Sequence, residues 1–401
     1  MDSSSRSTGI EVGDIFREYG AAYRAAHKLP LYQLKVMSAI EKCRTSALGG
    51  HIDECDVCGY QRISYNSCRN RHCPKCQALA REEWLLARKQ DLLPVTYFHV
   101  VFTVPDILNQ IALVNQRVIY KILFKAGSET LLVLGKDPTH IGAEIGFIAF
   151  LHTWGQTMMD HPHLHCIVPG GGLSEDGVEW MLPKKMTKQR DFFIHVNVIS
   201  ALFKGKFLYY LKKAYKDGDL RFEGNIKPLA TKRAFQELID KLYGLTWVTY
   251  CKQPFGGPEQ VLEYLGRYTH RVAISNSRIV KLEHGKVTFR WRDYRDGNKT
   301  KLMTLDVFEF IRRLLLHILP KGFVKIRYYG ILASRNHQTK LAQCKQILDV
   351  APIEEKDTTR SQSWQDLLLE LTGIDPRICP KCEKGHMIRK EIIARPIHGP
   401  P

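Results

Sequence analysis

No apolar run in this 401-residue chain approaches the roughly 20 residues needed to span a bilayer. The opening Met1-Asp2-Ser3-Ser4-Ser5 also lacks the charged-then-apolar pattern of a secretory leader. A cytoplasmic chain is therefore expected, and with it a reducing environment for the 11 cysteines. Close cysteine pairs then read as metal sites rather than disulfides. Internal repeats are missing too, apart from a recurring Cys-x-x-Cys. Acidic residues are scarce: 41 Asp and Glu stand against 59 Lys and Arg, a net charge of +18. Such an excess fits a polyanionic partner, of which nucleic acid is the first candidate.

The charge is concentrated. Between Leu265 and Lys345, 18 Lys and Arg face 5 Asp and Glu, a net +13. Length allows two or three domains with real cores, and the 44% hydrophobic content is ordinary for a globular protein.

Apolar periodicity predicts helices over 13–47 (broken near Leu29-Pro30), 78–93, 107–127, 199–215, 234–243 and 308–319. Strands are predicted at 97–104, 146–154, 163–168, 247–252, 279–282 and 287–291, with another running through Leu305. Strands 146–154 and 163–168 are predicted to form a hairpin across a polar loop.

Cys55-x-x-Cys58 and Cys73-x-x-Cys76 are separated by fourteen residues, the spacing of a zinc ribbon in which two knuckles complete one tetrahedral site. One structural Zn2+ on Cys55, Cys58, Cys73 and Cys76 is expected, with Cys68 and His72 as alternate ligands and His51 nearby. Arg69 and Arg71, on the loop between the knuckles, are candidates for phosphate contact. Cys379-x-x-Cys382 supplies half of another site, which His386 and Cys344 could complete, the alternative being an incomplete remnant.

His163-Leu164-His165 lies on a predicted strand, where residues i and i+2 share a face. Both imidazoles can thus reach one ion. His152, Gln156, Glu259 and Glu263 are candidates for the third ligand, with His152 favoured because its strand pairs with that of the His-x-His; His161 is a supporting group. Mg2+ or Mn2+ is the expected divalent ion, and zinc would also suit imidazoles. Tyr264 and Tyr268 fall one helical turn apart, with Arg267 and Arg271 beside them. A phenol with an intrinsic pKa of about 10 needs a nearby cation to attack as phenolate. A metal clamp for a phosphodiester, two phenols and a basic chain together point to DNA cutting through a covalent phosphotyrosine. Downstream, Arg290, Trp291 and Arg292 interleave aromatic and cation as single-strand binding requires.

These motifs resemble the two-tyrosine HUH transposases of the insertion-sequence ninety-one family. Ala47-Leu48-Gly49-Gly50-His51, Cys55 to Gly59 and Tyr65 to Pro74 carry the likeness to its zinc-binding domain. Leu151-His152-Thr153-Trp154-Gly155, His161-Pro162-His163-Leu164-His165 and Tyr264 to Arg271 carry the likeness to its nuclease. The resemblance implies an α+β fold, an HUH core with a central antiparallel sheet flanked by helices behind a helical zinc-ribbon domain. It also implies metal ligation by His163 and His165, and Tyr264 and Tyr268 as nucleophiles. The expected division is a helical zinc-binding and DNA-binding domain (1–94), the nuclease (95–305), a basic helical extension (306–375) and a small tail (376–401). Cleavage of single-stranded DNA at element ends, a 5′-phosphotyrosine, strand transfer by a rolling-circle route and no nucleotide cofactor would follow. A plasmid-type replication initiator or relaxase, or an inactive zinc-ribbon DNA-binding protein, are the rival readings.

Overall fold

The computed structural model describes residues 9–184, 193–252, 260, 261, 264, 266, 272–350 and 363–396. It opens on helices α1 (Val12–Ala26) and α2 (Leu31–Lys42), separated at Pro30. The cysteine-rich stretch forms strands β1 (Gly50–Cys55) and β2 (Gln61–Tyr65), and α3 (Pro74–Lys89) starts directly after Cys73. Pro74 suits that first turn because its missing N–H would have no helical partner there. Then come β3 (Tyr97–Thr103), α4 (Asn109–Val114), α5 (Gln116–Lys136), β4 (Gly146–Trp154) and β5 (Asp160–Pro169). A two-stranded ribbon follows, β6 (Gly172–Leu173) with β7 (Trp180–Met181), and after it α6 (Val196–Lys216), α7 (Lys232–Gly244) and β8 (Thr249–Lys252). Of the tyrosine segment, Gln260, Val261, Tyr264 and Gly266 are described, all helical. The meander β9 (Ile279–Glu283), β10 (Lys286–Asp293) and β11 (Lys299–Asp306) leads into a helix at Val307–Leu316, capped by the Asp306 carboxylate on the Phe308 N–H. Strand β12 (Ile326–Gly330), a helix at Trp364–Thr372 and β13 (Met387–Ile393) complete the chain.

The central sheet has the order β12-β4-β5-β3-β8, and every neighbouring pair is antiparallel. Its two faces bury different things. Phe98, Val100, Phe102, Phe147, Leu164 and Cys166 face α5, α6 and α7, contributing to a core with Phe203, Phe207 and Trp247. Ile148, Phe150 and Ile167 face the other way, toward Trp84 and Leu85 of α3 and Val261 of the tyrosine helix. Because both faces are covered, β4 is buried along nearly its whole length rather than at alternate positions.

A second core joins distant parts of the chain. Phe16 of α1 and Met37 of α2 pack with Val287 and Phe289 of the meander and with Phe310. The meander, read from sequence as part of the 95–305 nuclease unit, thus shares its core with the N-terminal helices. Strand β13, within the segment read as a small tail, pairs with β1 from Gly50↔Ile393 to Cys55↔Met387. The fold is the expected α+β class, with a central antiparallel sheet flanked by helices. Among the described residues no helix is long and apolar enough to cross a membrane.

Candidate metal and nucleophile site

Register builds the histidine cluster. On β5, His163 and His165 point to one face, and the β4–β5 ladder sets His152 directly opposite His163. One ring nitrogen from each of the three lies within 4.8 Å of the others. His152 and His165 are 4% and 7% exposed, so the cluster is recessed under the tyrosine helix rather than displayed on the surface. The loop joining the two strands is held from outside. Arg278, Arg313 and His317 donate to the carbonyls of Gln156, Thr157 and Met158 respectively. His317, buried and pushed down to about 4 by desolvation, makes that bond as a neutral ring.

The ring orientations are set by second contacts. His163 Nδ1 lies 2.6 Å from the His161 carbonyl, so it carries the hydrogen and Nε2 keeps the lone pair. This is the arrangement by which ligating histidines are usually oriented. His165 Nδ1 lies 2.8 Å from Nε2 of His99 on β3, a residue the sequence reading did not single out. His99 Nδ1 in turn lies 2.6 Å from the phenolic oxygen of Tyr264. Burial, with His163 nearby, pushes the His99 imidazolium down to about 3, so the ring bridging phenol and histidine cluster is neutral. No period in the sequence marks His99, because it sits in a strand whose two faces are both buried.

Other candidates fall elsewhere. The Gln156 amide donates to the Tyr294 hydroxyl, outside the histidine group. Tyr268, Arg267, Arg271, Glu259 and Glu263 lie outside the described residues. Val261 is buried and Tyr264 half-buried in a third core, with Ile148, Phe150 and Ile167, which ties that helix to the histidine-bearing face. A Cβ on Gly266 would come within 2.8 Å of Leu85, so the tyrosine helix and α3 approach closely there.

The cysteines require a correction. The expected single site on Cys55, Cys58, Cys73 and Cys76 is divided between two clusters. Cys73 and Cys76 meet Cys43 and Cys68, with sulfurs 3.6 Å apart from Cys43 to Cys76, Cys43 to Cys73 and Cys68 to Cys76. Cys55 and Cys58 meet Cys379 and Cys382. The ribbon spacing misleads because β2 carries the chain away from the first knuckle before Cys68 returns. His72 belongs to neither group; its Nε2 accepts from Arg71, and burial pushes it down to about 3. Neither His386 nor Cys344 joins the Cys379 pair: His386 meets Asp56, and Cys344 is buried in the third core. A Zn–S bond of about 2.3 Å gives tetrahedral sulfur–sulfur edges of about 3.8 Å, close to the edges of both clusters.

Of the expected DNA contacts, Arg71 is otherwise engaged. It donates to the carbonyls of Phe323, Pro320 and Leu319, pinning the inter-knuckle loop to the turn before β12. Arg69 is exposed, as are Arg290 and Arg292, which project side by side from β10. Trp291 points to the opposite face, against the second core.

Two four-cysteine clusters set against an antiparallel sheet with a recessed histidine triad are the frame of a metal-binding protein. Residues 15–104 match the family model described as a transposase zinc-binding domain, and residues 146–340 match one described as a putative transposase. A putative transposase, y4qJ, of Sinorhizobium fredii is 51% identical over 395 residues, 98% of either chain. The transposase for insertion sequence element IS801 of Pseudomonas savastanoi pv. phaseolicola is 27% identical, covering 87% of this chain and 82% of that one. The conjugative relaxase TrwC in complex with oriT DNA, a metal-bound structure, aligns over 43% of this chain and 73% of its own at 17% identity, with a TM-score of 0.24. The chain belongs to the insertion-sequence ninety-one family of transposases, with their N-terminal zinc-binding domain.

Proposed function

We propose that this transposase cuts single-stranded DNA at element ends with Tyr264 as nucleophile, retains a 5′-phosphotyrosine, and passes the strand to a target by a rolling-circle route. The observation that carries the reading is the hydrogen-bonded line from Tyr264 through His99 to His165, which joins a phenol to a recessed histidine triad. His152, His163 and His165 would hold a divalent ion that polarises the scissile phosphate and stabilises the departing 3′ oxygen. Three imidazoles suit Mn2+ better than Mg2+, which prefers oxygen ligands and its own waters. In the zinc-binding domain, Cys43, Cys68, Cys73 and Cys76 would hold structural Zn2+.

The protein's own part follows from the ring contacts. With His165 Nε2 as the metal-facing lone pair, its Nδ1 carries the hydrogen and donates to His99 Nε2. Neutral His99 then has its hydrogen on Nδ1, the ring nitrogen nearer the Tyr264 oxygen (2.6 Å, against 3.3 Å from Nε2). A polarised N–H beside that oxygen would favour the anionic form of the nucleophile. The phenol proton goes to solvent, attack forms the phosphorus–Oη bond and breaks the bond to the 3′ oxygen, and that oxygen takes a proton from water to leave as a 3′ hydroxyl. Phosphodiester energy is conserved in the protein–DNA bond, so no nucleotide cofactor is required. A target 3′ hydroxyl reverses the step, and Tyr268 would make the second attachment. The exposed Arg69, Arg290 and Arg292 would follow the DNA backbone, with Arg267 and Arg271 flanking the nucleophiles.

The test is a denaturing gel of single-stranded oligonucleotides carrying element ends, incubated with wild type, Tyr264→Phe, Tyr268→Phe and the double variant. Wild type gives a covalent adduct that requires divalent metal, and the double variant gives none. An adduct that persists in the double variant overturns the tyrosine assignment, and undiminished cleavage by His163→Ala removes the metal role.

A further inference from the structure

We infer that Cys55, Cys58, Cys379 and Cys382 form a second zinc centre, which latches the C-terminal segment onto the N-terminal domain. Half of its ligands lie outside residues 15–104, the stretch matching the zinc-binding domain.

The geometry is that of a preformed tetrathiolate. Cys55 and Cys382 sulfurs are 3.6 Å apart, and Cys58 and Cys379 sulfurs are 3.7 Å apart, across sequence separations of 327 and 321 residues. Those spacings are close to the edge of a tetrahedron with Zn–S bonds of about 2.3 Å. They are too long for disulfides, whose sulfurs sit about 2.05 Å apart.

The backbone around the sulfurs is arranged for thiolates. The N–H groups of Val57 and Cys58 donate to Cys55 Sγ at 3.4 Å each. On the other half, Lys381 N–H donates to Cys379 Sγ and Gly385 N–H to Cys382 Sγ, also at 3.4 Å. The two knuckles repeat one turn. Gly59 N–H donates to the Cys55 carbonyl and Glu383 N–H to the Cys379 carbonyl, and each of these residues sits in the left-handed region, at φ 67° and 57°. Glu383 is thus held in a conformation that non-glycine residues adopt reluctantly. These four amide donors, on three of the four sulfurs, favour the ionised thiols that a dication requires and neutralises.

The latch extends beyond sulfur. Asp56 and His386 exchange backbone contacts, His386 N–H to the Asp56 carboxylate at 2.7 Å and Asp56 N–H to the His386 carbonyl at 3.1 Å. A Cβ on Gly385 would fall 2.5 Å from Cys55 Sγ, so only glycine allows the halves to close this tightly. Beyond the sulfurs, β13 zips along β1, and Arg62 reaches the Pro376 carbonyl. The zinc-binding domain is therefore built from both ends of the chain, and the remainder loops out between them.

Cys58 supplies the test, because it is exposed. In full-length native protein, iodoacetamide labelling mapped by peptide mass spectrometry will spare Cys58, Cys55, Cys379 and Cys382, and prior zinc chelation will expose all four. The Cys379→Ser/Cys382→Ser double variant will carry one zinc fewer per chain than wild type by elemental analysis and will label at Cys58, while Cys43, Cys68, Cys73 and Cys76 stay protected. Labelling of Cys58 in untreated wild type at the rate of a free thiol overturns the proposal. So does resistance that survives chelation but yields to a reductant, which would indicate disulfides, or unchanged zinc in the double variant. Should that variant fail to fold, the wild-type labelling still decides. None of these measurements depends on the histidine site or on DNA cleavage.

Discussion

The Tyr264 phenolic oxygen lies 2.6 Å from Nδ1 of His99 and 3.3 Å from its Nε2, the nitrogen that also contacts His165 at 2.8 Å. His99 thereby fixes where the hydroxyl sits and which way hydrogen points along the line. A general base would need an unprotonated nitrogen facing the phenol; a donor needs the reverse. His165 facing the metal with Nε2 donates through Nδ1 to His99 Nε2, which leaves the His99 hydrogen on Nδ1, beside the phenol.

His99→Ala is expected to slow covalent adduct formation by about 10²- to 10³-fold, the usual effect of removing one positioned donor. It should also move the pH dependence of the rate to higher pH, since the unaided phenol ionises near 10. Mn2+ affinity, followed by calorimetry, should remain within about tenfold of wild type, as His99 orients a ligand without being one. A rate and pH profile matching wild type would reduce His99 to a packing role.

The metal preference gives a second expectation. Protein stripped by chelation should recover cleavage with Mn2+ at lower concentration than with Mg2+, because all three grouped ligands are nitrogen donors. His152→Ala should weaken Mn2+ binding by at least about tenfold, as loss of one of three ligands exceeds the cost of losing an outer-shell partner. Equal potency of the two ions, with His152→Ala unaffected, would point to an oxygen-lined site elsewhere.

The arginines divide into two kinds. Arg71→Ala should lower unfolding free energy by roughly 2–3 kcal/mol, since it strips charge-assisted bonds from the carbonyls around Pro320. It should leave the salt dependence of DNA binding alone. Arg290→Gln with Arg292→Gln should do the opposite: stability within about 0.5 kcal/mol, and a log–log salt slope shallower by roughly 1.4 if each arginine neutralises one phosphate of a single strand. Urea melts and fluorescence anisotropy across a salt series separate the two.

What the sequence disclosed follows the range of the interactions involved. The His163-x-His165 strand and its partner around His152 were readable because both lie within one hairpin, where alternation and pairing are local. α1 and α2 were readable from periodicity and Pro30. The division of the cysteines was not. Cys55-x-x-Cys58 has the right distance to Cys73-x-x-Cys76, and its partner pair lies more than 300 residues away. Cys43, alone at the end of α2, carries no spacing signal. β13 alternates weakly and is largely exposed, so only its pairing with β1 defines it. Tertiary proximity decided each of these, and local pattern has no access to it.

Asp160, at the start of β5, is 8% exposed, and neither oxygen of its carboxylate has a hydrogen-bond partner. Burial pushes its pKa up to about 7. A folded-state pKa above the unfolded value of about 3.9 means that the native chain holds one proton more than the unfolded chain between about pH 4 and 7. Stability contributed by the neutral acid is therefore complete below pH 4, is lost as pH rises through that window, and stays lost above pH 7. Asp160→Asn removes the ionisation, so its stability relative to wild type should climb by on the order of 4 kcal/mol between pH 4 and 7, at about 1.4 kcal/mol per unit, and then level off. His72, His99 and His317, pushed down by burial, act oppositely and cost stability as pH falls below about 6.5. They are common to both proteins and cancel in the difference. Urea unfolding of the pair from pH 4.5 to 8.5 measures it, and a difference that does not change with pH would show that the Asp160 carboxylate is solvated in the folded chain.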